Sequence, residues 1–331
     1  TTLGGSSRVD LAVFRERAKG RRVFLDYRRN PTAAEKNGVF DVDALSERAR
    51  TYLENSGAIL QTPIERLAKM NMPAIELYRA NGIDLYTEML EIAVSAQHCN
   101  GGLAVHNSRE STTLSGFYAV GECAGTFGVY RPGGSALNST QTGSLFAAMD
   151  IARKKADTVA QEIVKETELL LSMKGAVSRD EILEKRYLLG RRMSDSAAFL
   201  RNAEKIEEAI KATRHDLLHF AEDYALAESE WLYDALINRD VLLAQLVYLS
   251  AIRDYIADGG KSRGSYLLLR GDETDLLKVQ AEIDTVHADF VQNTVLSEDL
   301  TVTSTFEPVR PLPESEQWFE TVWNKFRERN A

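Results

Sequence analysis

The spacing of apolar residues changes along the chain, and each change marks a different kind of structure. Near the start, Arg22–Tyr27 (RVFLDY) is a short run behind Gly20 that predicts a strand entered through a turn. From Asp41 to Ser56, the steps between Val42, Leu45, Ala49 and Leu53 predict an amphipathic helix with Asp41 or Asp43 near its cap. Another helix is expected after Pro63, carrying Ile64, Leu67 and Met70, and a further one from Pro73 to Asn81, ended by Gly82. The texture is that of a small mixed module.

From Glu91 to Ala152 glycine is dense and the apolar runs are short. Ile92–Ala96 leads into the turn His98-Cys99-Asn100-Gly101-Gly102, and Gly116–Val120 reads as a second strand ending in Gly121-Glu122. A glycine-rich loop then passes through Arg131-Pro132-Gly133-Gly134-Ser135 into a helix with Leu137, Leu145, Ala148 and Ile151, and with small residues Ser139, Gly143 and Ala147 along it. Beyond Arg153 the period becomes helical for about a hundred residues. Helices are predicted over Ala156–Met173, Arg179–Leu188, Ser196–Ala212, Leu217–Asn238 and Val241–Ala257, packed antiparallel through short connections. After Gly259-Gly260 the pattern is mixed, with a strand expected at Leu300–Phe306 and an aromatic helix around Trp318, Val322, Trp323 and Phe326.

Composition narrows the function classes. With 331 residues, 44% hydrophobic and 27% charged, the chain has the make-up of a globular protein of two or three units. The formal charge of -9 argues against nonspecific nucleic-acid binding, and the basic cluster Arg17, Lys19, Arg21 and Arg22 reads as a solvated turn. No run of 18 apolar residues is present, so no transmembrane segment is expected. Two cysteines, Cys99 and Cys123, offer neither a disulfide framework nor a metal spacing, which makes a reducing cytoplasm the expected compartment. His215 and His219 are an i, i+4 pair with no third ligand to complete a metal set, so no metal site is expected.

Chemistry concentrates in Gly116–Gly143 (GFYAVGECAGTFGVYRPGGSALNSTQTG). A strand ending in Gly-Glu sets one carboxylate at the carboxyl edge of a sheet, where open α/β folds bind ligands, and Glu122 can there accept from a polyol hydroxyl. The glycines let main chain approach a ligand, and the helix opening near Ser135 presents unpaired amides and a positive dipole end that suit an electron-rich carbonyl edge. On physical grounds alone the same strand, loop and helix are equally a tightly packed structural turn.

This stretch resembles the C-terminal flavin-binding signature of the fumarate reductase, succinate dehydrogenase and L-aspartate oxidase flavoproteins, which runs approximately G-L-Y-A-A-G-E, a glycine-rich link, then R-L-G-G-N-S-L and a helix. The resemblance implies FAD as cofactor, with Gly121 and Glu122 at the ribityl region. It implies that Gly134, Ser135 and the amides of Ala136 and Leu137 lie near the flavin ring. Arg131 would pair with a substrate carboxylate, a role its planar fork suits. Gln97–Gly102 (QHCNGG) is similar to the family's H-Y-T-M-G-G turn, whose His binds substrate. Aligned without a gap, Gln97 takes the His position; a one-residue deletion would return His98 to it. Because Gln carries no positive charge, an altered substrate site is implied. Pro132, Ser135 and Ala136 are further departures, which mark a divergent branch. More weakly, Arg22–Tyr27 and Ile75–Leu90 resemble the edges of the family's capping domain, the helices from Arg179 onward with Arg192, Met193 and Arg201 its helical domain, and Lys261–Gly264 (KSRG) its E-S-R-G turn.

No G-x-G-x-x-G follows a strand in these residues; in the family that fingerprint lies nearer the N-terminus. Thr1 is therefore expected to lie deep inside a longer protein, with FAD held weakly or not at all by this stretch alone. The expected fold class is α+β. Residues 1–90 would be a remnant of the capping domain and 91–153 the C-terminal segment of the Rossmann-like FAD-binding domain. A helical bundle over 154–260 and a mixed extension over 261–331 would follow. The implied function is the C-terminal portion of an FAD-dependent oxidoreductase that transfers hydride at a carbon next to an acid. Its expected partners are a small carboxylate substrate and the N-terminal FAD-binding half or another polypeptide, with a second copy of the chain as a further candidate. Two alternatives stay open: a non-catalytic binding or assembly subunit with a vestigial flavin signature, and a relative of adenylylsulfate reductase.

Overall fold

A computed structural model describes residues 6–95, 101–127, 134–154, 173–262, 266–269, 286–309 and 314–330. The chain divides into two compact units, one formed by Leu3–Ser95 and the other by the bulk of the chain from Ala96 onward. The architecture is mixed α+β, and the described sheets are all two-stranded.

In the first unit, α1 (Ser6–Ala18) precedes β1 (Val23–Leu25), which pairs antiparallel with β4 (Leu90–Ile92). The hairpin β2 (Glu35–Lys36) and β3 (Val39–Phe40) and helix α2 (Glu47–Asn55) come between. The predicted Asp41–Ser56 helix is shorter than expected. Asp41 caps only a 3-10 turn, Val42–Ala44, and Ser46 opens α2 by accepting from the Ala49 amide. The two helices expected around Pro63 and Pro73 are one, α3 (Pro63–Ala80). Thr62 and Glu65 form a capping box at its start, and it kinks at Asn71 two residues before Pro73 because proline cannot continue the hydrogen-bond ladder. Ile64, Ile75 and Leu85 form its core. The basic cluster is spent in ion pairs: Lys19 and Arg21 with Glu16, Arg17 and Arg22 with Glu91.

Two strand expectations are corrected. The apolar run placed at Ile92–Ala96 pairs earlier, at Leu90–Ile92, because its partner is β1 of the same unit. Gly116–Val120 forms no ladder; only Tyr118 bridges, to Glu110. That segment folds back on its own sequence neighbours, which offer short bridges rather than a long extended edge.

The second unit carries α4 (Ser135–Arg153), then β5 (Lys174–Val177), α5 (Arg179–Ala197), β6 (Leu200–Arg201) and α6 (Ala203–Leu218). The short α7 (Phe220–Asp223), the long α8 (Leu232–Ala257) and β7 (Leu267–Leu268, parallel to β6) come next. An antiparallel hairpin of β8 (Phe290–Leu296) and β9 (Val302–Pro308) and finally α9 (Trp318–Asn330) complete it. The expected Leu217–Asn238 helix does not form: α6 stops at Leu218, and α8 runs without a break across Asn238 to Val241. The Ala156–Met173 helix lies outside the described residues but for Met173.

Helices α5, α6 and α8 pack around Ile182, Leu189, Ile206, Ile210, Leu242, Leu246 and Leu249. The fully buried Asn238 ties α8 to α5 and to Tyr224: its Nδ2 donates to the Ile182 carbonyl (2.9 Å) and the Tyr224 hydroxyl (3.0 Å), and its Oδ1 accepts from Arg186 Nε (2.8 Å). Gln245 likewise donates to the Leu189 carbonyl at 2.7 Å. Across α5 and α6, Arg192 donates to Thr213 Oγ1 (3.1 Å) and Asp216 (2.6 Å). Among the described residues, Ser229–Ala257 is long and apolar enough by composition to cross a bilayer. Its apolar length has another cause here, since Leu242, Leu246 and Leu249 fill the core and its amides are spent on α5. His215 and His219 stack on each other, with ring centroids 4.2 Å apart.

Candidate functional site

The glycine-rich segment builds a backbone crossing on the face of a helix. Residues 101–120 fold into short reversals: His106 N–H donates to the Glu110 carbonyl (2.8 Å) and Ser111 N–H to the Phe117 carbonyl (2.7 Å), while Arg109 takes a left-handed φ of 72° at the turn. The strand-like end at Val120 then enters a 3-10 turn, Gly121–Cys123, in which Gly121 has φ 75°. Here the chain passes against Gly102. Leu103 N–H donates to the Cys123 carbonyl at 2.7 Å, and a Cβ on Gly102 would lie 2.3 Å from the Gly125 nitrogen and 2.4 Å from the Cys123 oxygen. Only glycine fits such an approach of main chain to main chain.

Helix α4 supports this crossing with its small residues. Thr140 lies against Gly121, where an added Cβ would meet its Oγ1 at 3.3 Å, and Ser139 Oγ is 3.4 Å from Thr126 Oγ1. Gly143 faces the Arg109 side chain so closely that an added Cβ would sit 2.9 Å from Nε. Gly143 and Ala147 are buried, whereas Leu137, Leu145 and Ile151, the positions the apolar pattern picked out, are exposed. The small-residue stripe, not the large-residue one, is the packed face.

At its far end α4 is tied down by charge. Tyr118 O–H donates to Asp150 (2.6 Å), and Lys154 bridges Glu110 and Asp150. The Gly116 N–H and then Lys154 hold the Glu110 carboxyl below its usual range, and Glu110 and Tyr118 hold the Lys154 ammonium above its own. Glu110, Tyr118 and Asp150 are half-buried and Lys154 is exposed; the group lies about 24 Å along the helix from its start, so it anchors the helix and takes no part in a site at its N-terminus.

At the start of α4, Gly134 is the N-cap in a left-handed conformation (φ 83°) and supplies no side-chain cap. Ser135 and Ala136 are half-buried and Leu137 is 70% exposed. Within the crossing's tight turn Gly121 is buried and Glu122 half-buried. The structure thus brings Gly121 and the α4 helix together through Thr140. Gln97, His98 and Arg131 lie outside the described residues, as do Cys99 and the Arg263-Gly264 half of the KSRG turn. Cys123 is exposed, its thiol 3.1 Å from the Val120 carbonyl oxygen. The Gly102–Gly125 crossing and the Tyr118–Asp150 pair escaped sequence reasoning; the doublet Gly101-Gly102 and the spaced Gly121 and Gly125 were the available signal for the first.

The fit to a cofactor can be judged from this backbone. A tight turn that carries Glu122, set on the face of a helix whose N-cap glycine supplies no capping side chain, suits the polyol and carbonyl edge of a flavin. The fold that carries this turn is similar to that of solved fumarate reductase chains. A mutant FrdA chain of E. coli quinol fumarate reductase superposes with a TM-score of 0.56 at 18% identity, over 91% of this chain and 57% of that one. A quinol-fumarate reductase with menaquinol molecules gives 0.53 at 16%, with the same coverage. In sequence, an uncharacterized FAD-dependent oxidoreductase of Methanocaldococcus jannaschii is 28% identical over 172 residues, 47% of this chain and 30% of that protein. No family profile matches. The chain therefore shares the fold of solved fumarate reductase chains and has weak sequence similarity to an FAD-dependent oxidoreductase. It spans a little over half the length of the solved chains and about a third of the curated relative.

Proposed function

We propose that this chain is the C-terminal portion of an FAD-dependent oxidoreductase that acts on a small carboxylate-bearing molecule, by hydride transfer at a carbon next to the acid. The observation that carries the reading is the Gly102–Gly125 crossing with Glu122 beside it, set against a helix that opens on a left-handed glycine. Hydride chemistry is the contribution of the flavin when bound; the protein supplies binding, orientation and electrostatics. Glu122 would accept hydrogen bonds from ribityl hydroxyls, and Gly121 lets its turn pack against Thr140 of α4. The Ala136 and Leu137 amides, at the positive end of α4, would face the ring's carbonyl edge and favour negative charge there. Arg131 would hold the substrate acid by two parallel N–H···O bonds, and Gln97 or His98 would orient it. In the gap-free alignment Gln97 stands where the family has His, which would remove a cation from the site and favour a substrate other than a simple dicarboxylate; a one-residue deletion would return His98 to that place.

The pyrophosphate of FAD would be held by a strand-glycine-helix segment supplied by the N-terminal half or by another polypeptide. Assigning residues 1–90 to a capping domain and 91–153 to the FAD-binding domain belongs to this same proposal, as does a cytoplasmic site of action. In the complete flavoprotein, Arg131→Ala is expected to abolish turnover of acid substrates while leaving the bound-flavin spectrum in place. Unchanged turnover would overturn the catalytic reading in favour of an assembly subunit with a vestigial signature.

A further inference from the structure

Helix α9 presents an aromatic face to solvent. Phe319, Val322, Trp323 and Phe326 follow steps of three and four and share one side. Phe319 is 65% exposed, Trp323 49% and Val322 44%. The rings form a ladder: Phe319 and Trp323 stack with centroids 6.5 Å apart and planes 4° from parallel, and Trp323 and Phe326 lie 5.8 Å apart. A contiguous exposed aromatic surface of this kind marks an interaction site.

The borders of the stripe say what covers it. Residues seven apart lie on the same border of a helix, because seven residues make almost two full turns. On one border Glu320 is followed seven residues later by Arg327; on the other, Trp318 is followed by Lys325. When two copies of a helix pack antiparallel about a two-fold axis, each border meets its own counterpart, and the start of one helix lies beside the end of the other. Glu320 then meets Arg327 of the second copy and Trp318 meets its Lys325, each pairing occurring twice, with the axis passing near Val322 and Trp323. Acid faces guanidinium, an indole face receives an ammonium, and the two helix dipoles oppose.

We infer that α9 is a self-association surface, pairing antiparallel with α9 of a second copy of this chain through the Phe319–Val322–Trp323–Phe326 stripe. A 13-residue helix is only about 20 Å long, so the pairing is small and depends on concentration.

The test is sedimentation velocity of the intact chain over a concentration series. A reversible monomer–dimer equilibrium is expected. Trp323→Glu should weaken it by about a hundredfold or more, because it places a carboxylate at the centre of the stripe. Glu320→Arg and Arg327→Glu should each weaken it by about tenfold, since two symmetric pairs become repulsive, and the double variant E320R/R327E should restore it. Circular dichroism checks that the variants keep their helix; the charge variants alter only exposed side chains and keep the test valid should Trp323→Glu fail to fold. A wild-type chain that stays monomeric at every concentration overturns the inference, and so does a dimer that survives Trp323→Glu. Failure of the double variant to recover pairing overturns it too, because a parallel pair would set Glu320 against Lys325 instead. Flotation of a monomeric wild-type chain with lipid vesicles would assign the stripe to a membrane surface and equally overturn it.

Discussion

Substituting Gly102 by alanine probes the geometry on which the flavin reading rests. The added Cβ would lie 2.3 Å from the Gly125 nitrogen, 2.4 Å from the Cys123 oxygen and 2.6 Å from the Cys123 carbonyl carbon. All three are main-chain atoms, so no rotamer change relieves the overlap, and the two segments must part by about 1 Å to reach ordinary contact. That separation breaks the 2.7 Å bond from Leu103 N–H to the Cys123 carbonyl, worth about 1 kcal/mol, and adds an overpacking cost of about 1–3 kcal/mol. Local stability should therefore fall by about 2–4 kcal/mol, which lowers amide-exchange protection at Leu103 by about thirtyfold or more. In the complete flavoprotein the same change moves Glu122 and should reduce flavin retention on gel filtration. Gly190→Ala is the control: Gly190 lies inside α5 with nothing within 4 Å of the added Cβ, so the helix should gain up to about 1 kcal/mol. Unchanged protection at Leu103 in Gly102→Ala, with flavin retained as in the wild type, would refute the crossing as a constraint on this site.

Other outcomes follow from single residues. Asn238→Ala leaves Arg186 Nε, the Ile182 carbonyl and the Tyr224 hydroxyl short of a partner in the helical core, and should cost about 3–5 kcal/mol, visible as a fall of about 10 °C or more in Tm. Asp26 receives the Arg28 amide and guanidinium, which hold its carboxyl down at about 2. Because the folded value is depressed, the contribution is complete above the ordinary Asp range and is lost as pH falls from about 4 to about 2; Asp26→Asn should flatten acid unfolding curves in that window. Its size is modest because the pair is only partly buried and stays open to solvent screening.

Helices were legible wherever period and caps agreed. Pro63 marked the start of α3 and Gly82 its end, though the pattern predicts two helices where the fold has one, and Arg179 marked the start of α5; the capping boxes Thr62–Glu65 and Ser178–Glu181 are what the structure adds. The break expected between Asn238 and Val241 failed because Asn238 looks like a helix-ending polar residue in sequence, whereas in the fold its amide satisfies three groups across the core. The β8 strand was missed, since its alternation becomes meaningful only when Leu296 and Val302 meet the Leu246 and Leu249 cluster of α8.

By itself the sequence determined the periodic helices, the glycine density around the candidate site and the order of residues that carries the flavin resemblance, because each is set by neighbours a few positions apart. Tertiary structure decided which face of α4 is packed, that Leu90–Ile92 belongs to β1, and that Gly102 must be glycine. Those outcomes depend on atoms from distant parts of the chain competing for the same space, and no local pattern records that competition.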